Sequence, residues 1–235
     1  MLEDILKDGF RELDLEINEE QISRLRIYRD YLAEINDHMN LTAITEEDEV
    51  ARLHFLDCAA LLKFVDFKGK TVIDVGTGAG FPGLVLKILE PDIRLTLLDS
   101  LDKRIGFLKD CCEKLGIYDV ACIHARAEEI DSGRREKFDI ACSRAVARLN
   151  ILSEICLPYV KQDGCFIAMK GPDFEDELDE AKKCIKELGA KTESCEAYSI
   201  PGTEITHSAI VIRKKNPTPS AYPRRWAQIK KTPLK

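Results

Sequence analysis

Four glycines crowd the eight residues Gly76-Thr77-Gly78-Ala79-Gly80-Phe81-Pro82-Gly83, just after the carboxylate of Asp74. Glycine at that density suits a backbone that takes positive φ, or that touches a ligand with no Cβ in the way. Two kinds of ligand compete for such a turn. Gly78-Ala79-Gly80-Phe81-Pro82-Gly83 matches G-x-G-x-x-G, the fingerprint of a dinucleotide site. Pro82, however, removes a backbone N–H from the helix start, where a pyrophosphate collects its donors. Asp74 would repel a phosphate and attract a cation. A ligand with positive charge and no phosphate therefore fits the turn better. Glycines that serve only a tight turn, with no ligand, fit it least.

Other residues with chemistry fall where apolar runs end. Asp99 closes Ile93-Arg94-Leu95-Thr96-Leu97-Leu98, 23 residues beyond Gly76. That is the place of an acid accepting both ribose hydroxyls of an adenosine. Nicotinamide enzymes use the same device, so Asp99 does not choose the cofactor. As an N-cap it could be replaced by Ser100. Ala127-Glu128 follows Val120–His124, and there a backbone N–H and a carboxylate could read an adenine ring. Arg144 follows Phe138–Cys142 and is the only charge between Asp139 and Arg148. A salt bridge to the cofactor-side acids and contact with cofactor or target base are equally open for it. His54 and Asp57, three apart on a helical face, read from residue type alone as a surface ion pair. The spacing Asp74-x-Gly76-x-Gly78-x-Gly80 resembles the first motif of class I S-adenosylmethionine-dependent methyltransferases. That cofactor carries an ammonium and a sulfonium and no phosphate, so the resemblance agrees with the charge argument.

The elements that must position these residues follow from periodicity. Residues 1–65 read as helices: one begins at Leu2, Ile5 and Leu6, and Asn18-x-x-Gln21 caps a second. The pattern breaks at Asn40-Leu41-Thr42, and Thr45-x-x-Asp48 could cap a third helix carrying Val50, Leu53, Phe55, Leu56, Ala60 and Leu61. From about residue 66 strands alternate with helices. Val72, Ile73 and Val75 suit a strand covered on both faces, and Leu84, Val85, Ile88 and Leu89 form the stripe of the helix that follows. Later strands are expected at 93–98, 120–124, 138–142 and 165–169, with helices from Ile105 to Leu115, from Leu149 to Val160 and from Asp173 to Leu188. Two final strands, Thr192–Ile200 and His207–Ile212, turn at Pro201-Gly202. The expected architecture is an α/β, Rossmann-like class I methyltransferase with a seven-stranded, mostly parallel sheet. Its bounds are a helical extension over 1–65, the methyltransferase domain over 66–213 and a basic tail over 214–235.

The whole chain, 235 residues with 45% hydrophobic and 33% charged content, describes a soluble globular protein. No apolar run approaches a membrane span, and the acidic start lacks the order of a signal peptide, so a cytoplasmic protein with no membrane partner is expected. Nine cysteines form no C-x-x-C pair and have no histidines at zinc spacing, so buried free thiols and no metal are expected. The net charge of −7 hides an asymmetry: Arg213 to Lys235 holds eight Lys/Arg and no acid, leaving −15 on the rest. A basic terminal segment is how an acidic body holds a phosphate backbone. Tyr222 and Trp226 interleave with Arg224 and Arg225, which favours RNA contact. With four prolines and no hydrophobic period, this tail is expected to be loosely ordered without its partner.

The end of the fourth strand is informative through what it lacks. Cys142-Ser143-Arg144 contains neither the proline-rich aromatic loop of amino-group methyltransferases nor a Pro-Cys nucleophile. An acceptor with its own lone pair needs no base, and guanine N7 is one; alignment and desolvation suffice. Carboxylate and thiol acceptors stay open, as do another RNA, a protein or a small molecule, and a cofactor-holding RNA-binding protein without catalysis.

Asn40-Leu41-Thr42, His54-x-x-Asp57, Asp74 to Gly83, Leu97-Leu98-Asp99-Ser100, Ala127-Glu128, Ser143-Arg144-Ala145, Met169-Lys170-Gly171 and Tyr222-Pro223-Arg224-Arg225 span nearly the whole chain. In this order they resemble the glucose-inhibited division protein B family, bacterial 16S ribosomal RNA guanine-N7 methyltransferases. The resemblance implies transfer from S-adenosylmethionine to one guanine in the 530 loop of 16S RNA. It implies cofactor contacts at Gly76, Phe81, Asp99, Ala127, Glu128 and Arg144, to which the turn itself adds Gly78. It also raises His54 and Asp57 to substrate contacts, beside Arg224 and Arg225 of the tail. Cys58 departs from the serine expected after Asp57. The partner is 16S RNA or the small ribosomal subunit, and the protein is expected to act as a monomer.

Overall fold

Val72, Ile73 and Val75 expose no surface, as a strand covered on both faces requires. They belong to β1 (Thr71–Val75), which is joined by β2 (Arg94–Asp99), β3 (Val120–His124), β4 (Phe138–Arg144), β5 (Val160–Lys170), β6 (Ala190–Ser199) and β7 (Thr206–Lys214). This computed structural model describes residues 1–144 and 147–234. Ala145 of the Ser143-Arg144-Ala145 motif, Val146 and Lys235 lie outside the described residues. The sheet order is β3-β2-β1-β4-β5-β7-β6, parallel from β3 to β5, with β7 antiparallel to both its neighbours. The chain winds outward from β1 to β3 and then crosses to β4 beside β1. That reversal opens a crevice at the carboxyl ends of β1 and β4, where ligands of such sheets bind.

The helices cover both faces. On one lie α1 (Leu2–Glu12), α2 (Glu19–Met39), α5 (Gly83–Leu89) and α6 (Asp102–Lys114), whose apolar residues share a core with Val72, Leu95 and Ile140. On the other lie α7 (Leu149–Cys156), α8 (Glu175–Glu187) and α9 (Trp226–Lys231), packed on Ile73, Val75 and Ala141. The capping box before α2 is formed both ways, Gln21 N–H to Asn18 Oδ1 and Asn18 N–H to Gln21 Oε1, each 2.9 Å. Asn40 ends the helix in the left-handed region at φ 49°.

Three local expectations are corrected. The third helix is not regular: α3 (Glu47–Val50) passes into a π-helical segment, Ala51–Leu56, then α4 (Asp57–Ala59) and a 3-10 turn, Ala60–Lys63. π-turns inside helices recur at functional sites, and this one carries His54. The helix from Leu149 stops at Cys156, because Pro158 in the following 3-10 turn has no N–H to donate; β5 then begins at Val160 instead of Cys165.

The third correction is the tail, which is docked and ordered. Lys214 is buried, and its Nζ donates to Glu136 Oε1 (2.9 Å) and to the carbonyls of Leu157 (2.9 Å) and Val160 (3.1 Å). Arg224 donates to the buried carboxylate of Glu154 from Nε (2.8 Å) and Nη2 (2.6 Å). Ile229 of α9 is fully buried, worth roughly 1.5–3 kcal/mol of hydrophobic stabilisation. Asn150 Nδ2 donates to the carbonyl of Leu234 at 3.1 Å. Composition suggested a solvated arm because the acids that neutralise it lie far away in sequence. No helix among the described residues is long and apolar enough to cross a membrane.

Candidate active site

A cavity of about 520 Å³ opens at the carboxyl ends of β1, β2 and β4, within the roughly 300–1,000 Å³ typical of ligand sites. The glycine turn forms its floor. Gly76, Gly78 and Gly80 have φ of 71°, 59° and 104°. A Cβ on Gly78 would meet nothing within 4 Å, so this backbone faces the open cavity. A Cβ on Gly80 would instead lie 2.5 Å from the Tyr28 hydroxyl. Gly80 is there to let α2 approach, and Tyr28 Oη donates to the carbonyl of Ala79. The turn thus has a ligand side and a packing side.

Asp74 lies on the wrong side for its expected role. It is wholly buried and does not line the cavity. Its Oδ2 accepts from Gly83 N–H (2.8 Å) and Thr77 Oγ1 (2.7 Å), tying the start of α5 to the turn. Oδ1 is buried without a partner. Burial raises its pKa from 3.8 to about 6. Strand alternation explains the error: Asp74 points to the face opposite Ile73 and Val75, into the space over which α5 packs. The expected attraction between this carboxylate and a cationic ligand is therefore replaced by a scaffolding role.

Asp99 does line the cavity. Its Oδ2 accepts from Gly78 N–H at 2.9 Å and from Arg104 Nη1 at 3.3 Å, and its Oδ1 accepts from Leu101 N–H at 2.9 Å. One carboxylate thus joins the glycine turn to the end of β2 and the approach to α6. Its bond to Leu101 N–H shapes the turn before the helix, but neither Asp99 nor Ser100 is the N-cap; that position is Leu101, and no side chain caps it. Ala127 and Glu128 line the same cavity, with the Ala127 carbonyl accepting from Tyr159 Oη at 2.9 Å.

Arg144 and His54 meet at the opposite end. Arg144 Nη1 donates to Asp57 Oδ2 (3.2 Å) and to the carbonyl of Leu53 (3.0 Å), and Nη2 lies 3.0 Å from His54 Nδ1. Nδ1 also lies 3.1 Å from the carbonyl of Leu53, and Nε2 lies 2.9 Å from Thr42 Oγ1, so both ring nitrogens are engaged in either neutral tautomer. Burial, then the Arg144 charge, lowers the His54 pKa from 6.5 to about 3. The ring stacks on Phe81 at 4.3 Å between centroids, and Arg144 Cζ lies 4.8 Å from the Phe81 centroid. Phe81 itself is 5% exposed and lines the cavity.

His54 and Asp57 do not form the surface pair that residue types suggested. Asp57 is fully buried, and its Oδ1 accepts from Tyr198 Oη (2.7 Å) and His207 Nδ1 (2.9 Å). Direct RNA contact is closed to it; it holds Arg144 in place. Arg144 likewise pairs with Asp57 and not with the cofactor-side acids Asp74 and Asp99. Tyr198 and His207 were missed, because nothing local in two alternating strands marks a side chain that reaches a carboxylate 141 and 150 residues away. Cys58 is buried too, so its departure from serine faces the core.

Of the tail arginines, Arg224 is engaged by Glu154, while Arg225 is exposed. Trp226 lines the cavity with Ile155. The nine cysteines are free and seven are buried. Among the described residues no group of three or more His, Cys, Asp or Glu could hold a metal ion.

Residues 21–206 match the family described as GidB, rRNA small subunit methyltransferase G. A protein of Clostridium perfringens (strain 13 / Type A) named ribosomal RNA small subunit methyltransferase G is 46% identical over 237 residues, covering 99% of this chain and 98% of its own. One of the same name from Alkaliphilus oremlandii (strain OhILAs) is 49% identical over 238 residues, covering 100% and 99%. In fold, the chain is similar to a SAM dependent methyltransferase from Aquifex aeolicus, with a TM-score of 0.54 at 17% identity over 74% of this chain and 97% of that one. It is also similar to M. jannaschii TYW2 in complex with AdoMet, with a TM-score of 0.53 at 13% identity over 65% and 71%. With a match that runs through the glycine turn, Asp99 and Arg144, and with relatives alike from end to end, the chain belongs to the rRNA small subunit methyltransferase G (GidB) family.

Proposed function

We propose that this protein transfers a methyl group from S-adenosylmethionine to N7 of a guanine in small-subunit ribosomal RNA, within the 530 loop of 16S RNA. The cavity suits that cofactor: Gly78 opens directly onto it, and Asp99 and Glu128 supply acceptors for ribose and adenine donors. Bound there, the cofactor supplies an electrophilic methyl group on a sulfonium. Gly76, Gly78, Asp99, Ala127 and Glu128 hold the adenosine. Phe81 and Arg144 border the end where the acceptor enters.

One observation carries the choice of acceptor. His54, the titratable base nearest Arg144, has both ring nitrogens engaged and its pKa at about 3. Neutral as it is, its ring lone pair is taken up by Arg144 or by the Thr42 hydroxyl, according to the tautomer, and it has none to offer a substrate proton. An acceptor that must lose a proton would be left without a base; guanine N7 has none to lose. The chain's task is then alignment and exclusion of water. Asp57 and His54 serve it by fixing the guanidinium of Arg144, while Arg225, Lys230 and Lys231, all exposed, meet the RNA backbone. The protein works as a monomer in the cytoplasm. Mass spectrometry of 16S RNA from cells lacking this protein should show one 7-methylguanosine lost and restored on complementation. An unchanged profile refutes the assignment.

A further inference from the structure

Trp226 is the only tryptophan of the chain, and the docked tail holds it on both sides. Two residues before it, Arg224 is clamped by Glu154, which also accepts from the Arg224 backbone N–H at 3.0 Å. Three residues after it, Ile229 is fully buried in the core beneath α7. Tyr222 Oη donates to Glu187 on α8. With those anchors set, the indole packs against the same core and lines the cavity beside Ile155, in the space that Asp99, Ala127 and Glu128 also border.

We infer that Trp226 is a wall of the adenosine end of the cofactor site, so that docking of the C-terminal segment completes the cavity. A large apolar ring with one N–H suits a purine, whose faces are apolar and whose edges are polar. The charges of α9 and the indole then have separate duties: Arg225, Lys230 and Lys231 are exposed, whereas Trp226 turns inward. The inference rests on reading the cavity as the S-adenosylmethionine site.

The test uses the full-length protein and S-adenosylhomocysteine as probe. Since Trp226 is the sole tryptophan, its emission should change on binding, with the same midpoint as the heat measured by calorimetry. Trp226→Ala should weaken binding about tenfold, the size of one lost base–aromatic contact, and Trp226→Phe should restore most of it. If the wild type binds the probe with unaltered emission, and Trp226→Ala binds as tightly, the indole is no part of the site although the cofactor reading stands. If the wild type shows no heat of binding at all, the cofactor reading itself falls, and this inference with it. Should Trp226→Ala prove unfolded, the wild-type emission and Trp226→Phe still decide.

Discussion

Asp74 and Gly78, four residues apart, divide the work of one turn. Asp74 carries structure, and its titration has a definite sign. With its pKa at about 6 in the fold against 3.8 ordinarily, the folded state takes up the proton first, so this residue adds stability as pH falls from about 6 toward 3.8. His54 acts oppositely, since the unfolded chain takes its proton near 6.5 and the folded one only near 3. Asp74→Asn imitates the protonated acid and keeps an acceptor for Gly83 N–H. Urea midpoints measured across that range should therefore show the variant losing ground to wild type as pH falls, with the His54 trend common to both. Its affinity for S-adenosylhomocysteine should stay within about threefold of wild type, because Asp74 does not border the cavity. Gly78→Val is the counterpart: it puts a branched side chain into the open cavity from a residue at φ 59°. Calorimetry should find at least about a tenfold loss, and a folded variant with wild-type affinity would remove the turn from the site. Both positions are plain in the sequence, yet only strand alternation and the packing of α5 say which one borders the cavity.

At the scale of elements, the tail and the π-helical segment bring distant groups to the sheet. Arg224 and Arg225 are adjacent, but one faces Glu154 and the other solvent. Arg224→Ala leaves a buried carboxylate without its partner, which should cost about 3 kcal/mol in denaturant unfolding. Arg225→Ala should move stability by less than about 0.5 kcal/mol while lowering the salt slope of RNA binding by roughly 0.7–0.9. Equal slopes for wild type and Arg225→Ala would place this arginine outside the RNA contact. The regular elements were legible because their signals are local: a capping box at Asn18 and Gln21, and Gly116 at φ 67° closing α6. The π-helical segment carries no such mark; its contacts are tertiary, with residues 51–56 packed on α1 and His54 lining the cavity.

Across the whole molecule, one cavity draws on the helical start, the central strands and the C-terminal segment. Thr42 and His54 come from the helical start, Gly78, Asp99 and Arg144 from the central strands, and Trp226 from the end. The N-terminal helices and the C-terminal segment reach it from opposite faces of the sheet, one joining the core of α5 and α6, the other that of α7 and α8. Hydrophobic period, glycine density and the acid at the end of β2 were enough to foresee a doubly wound sheet and the crevice at the carboxyl ends of its strands. Those features depend on neighbours in sequence or on the fold's fixed handedness. Which carboxylate lines the cavity, what neutralises the tail, and how Tyr198 and His207 secure Asp57 were decided only by tertiary structure. Each depends on groups far apart along the chain, whose pairing is set by burial, because a charge removed from water must find its partner wherever the packing brings one.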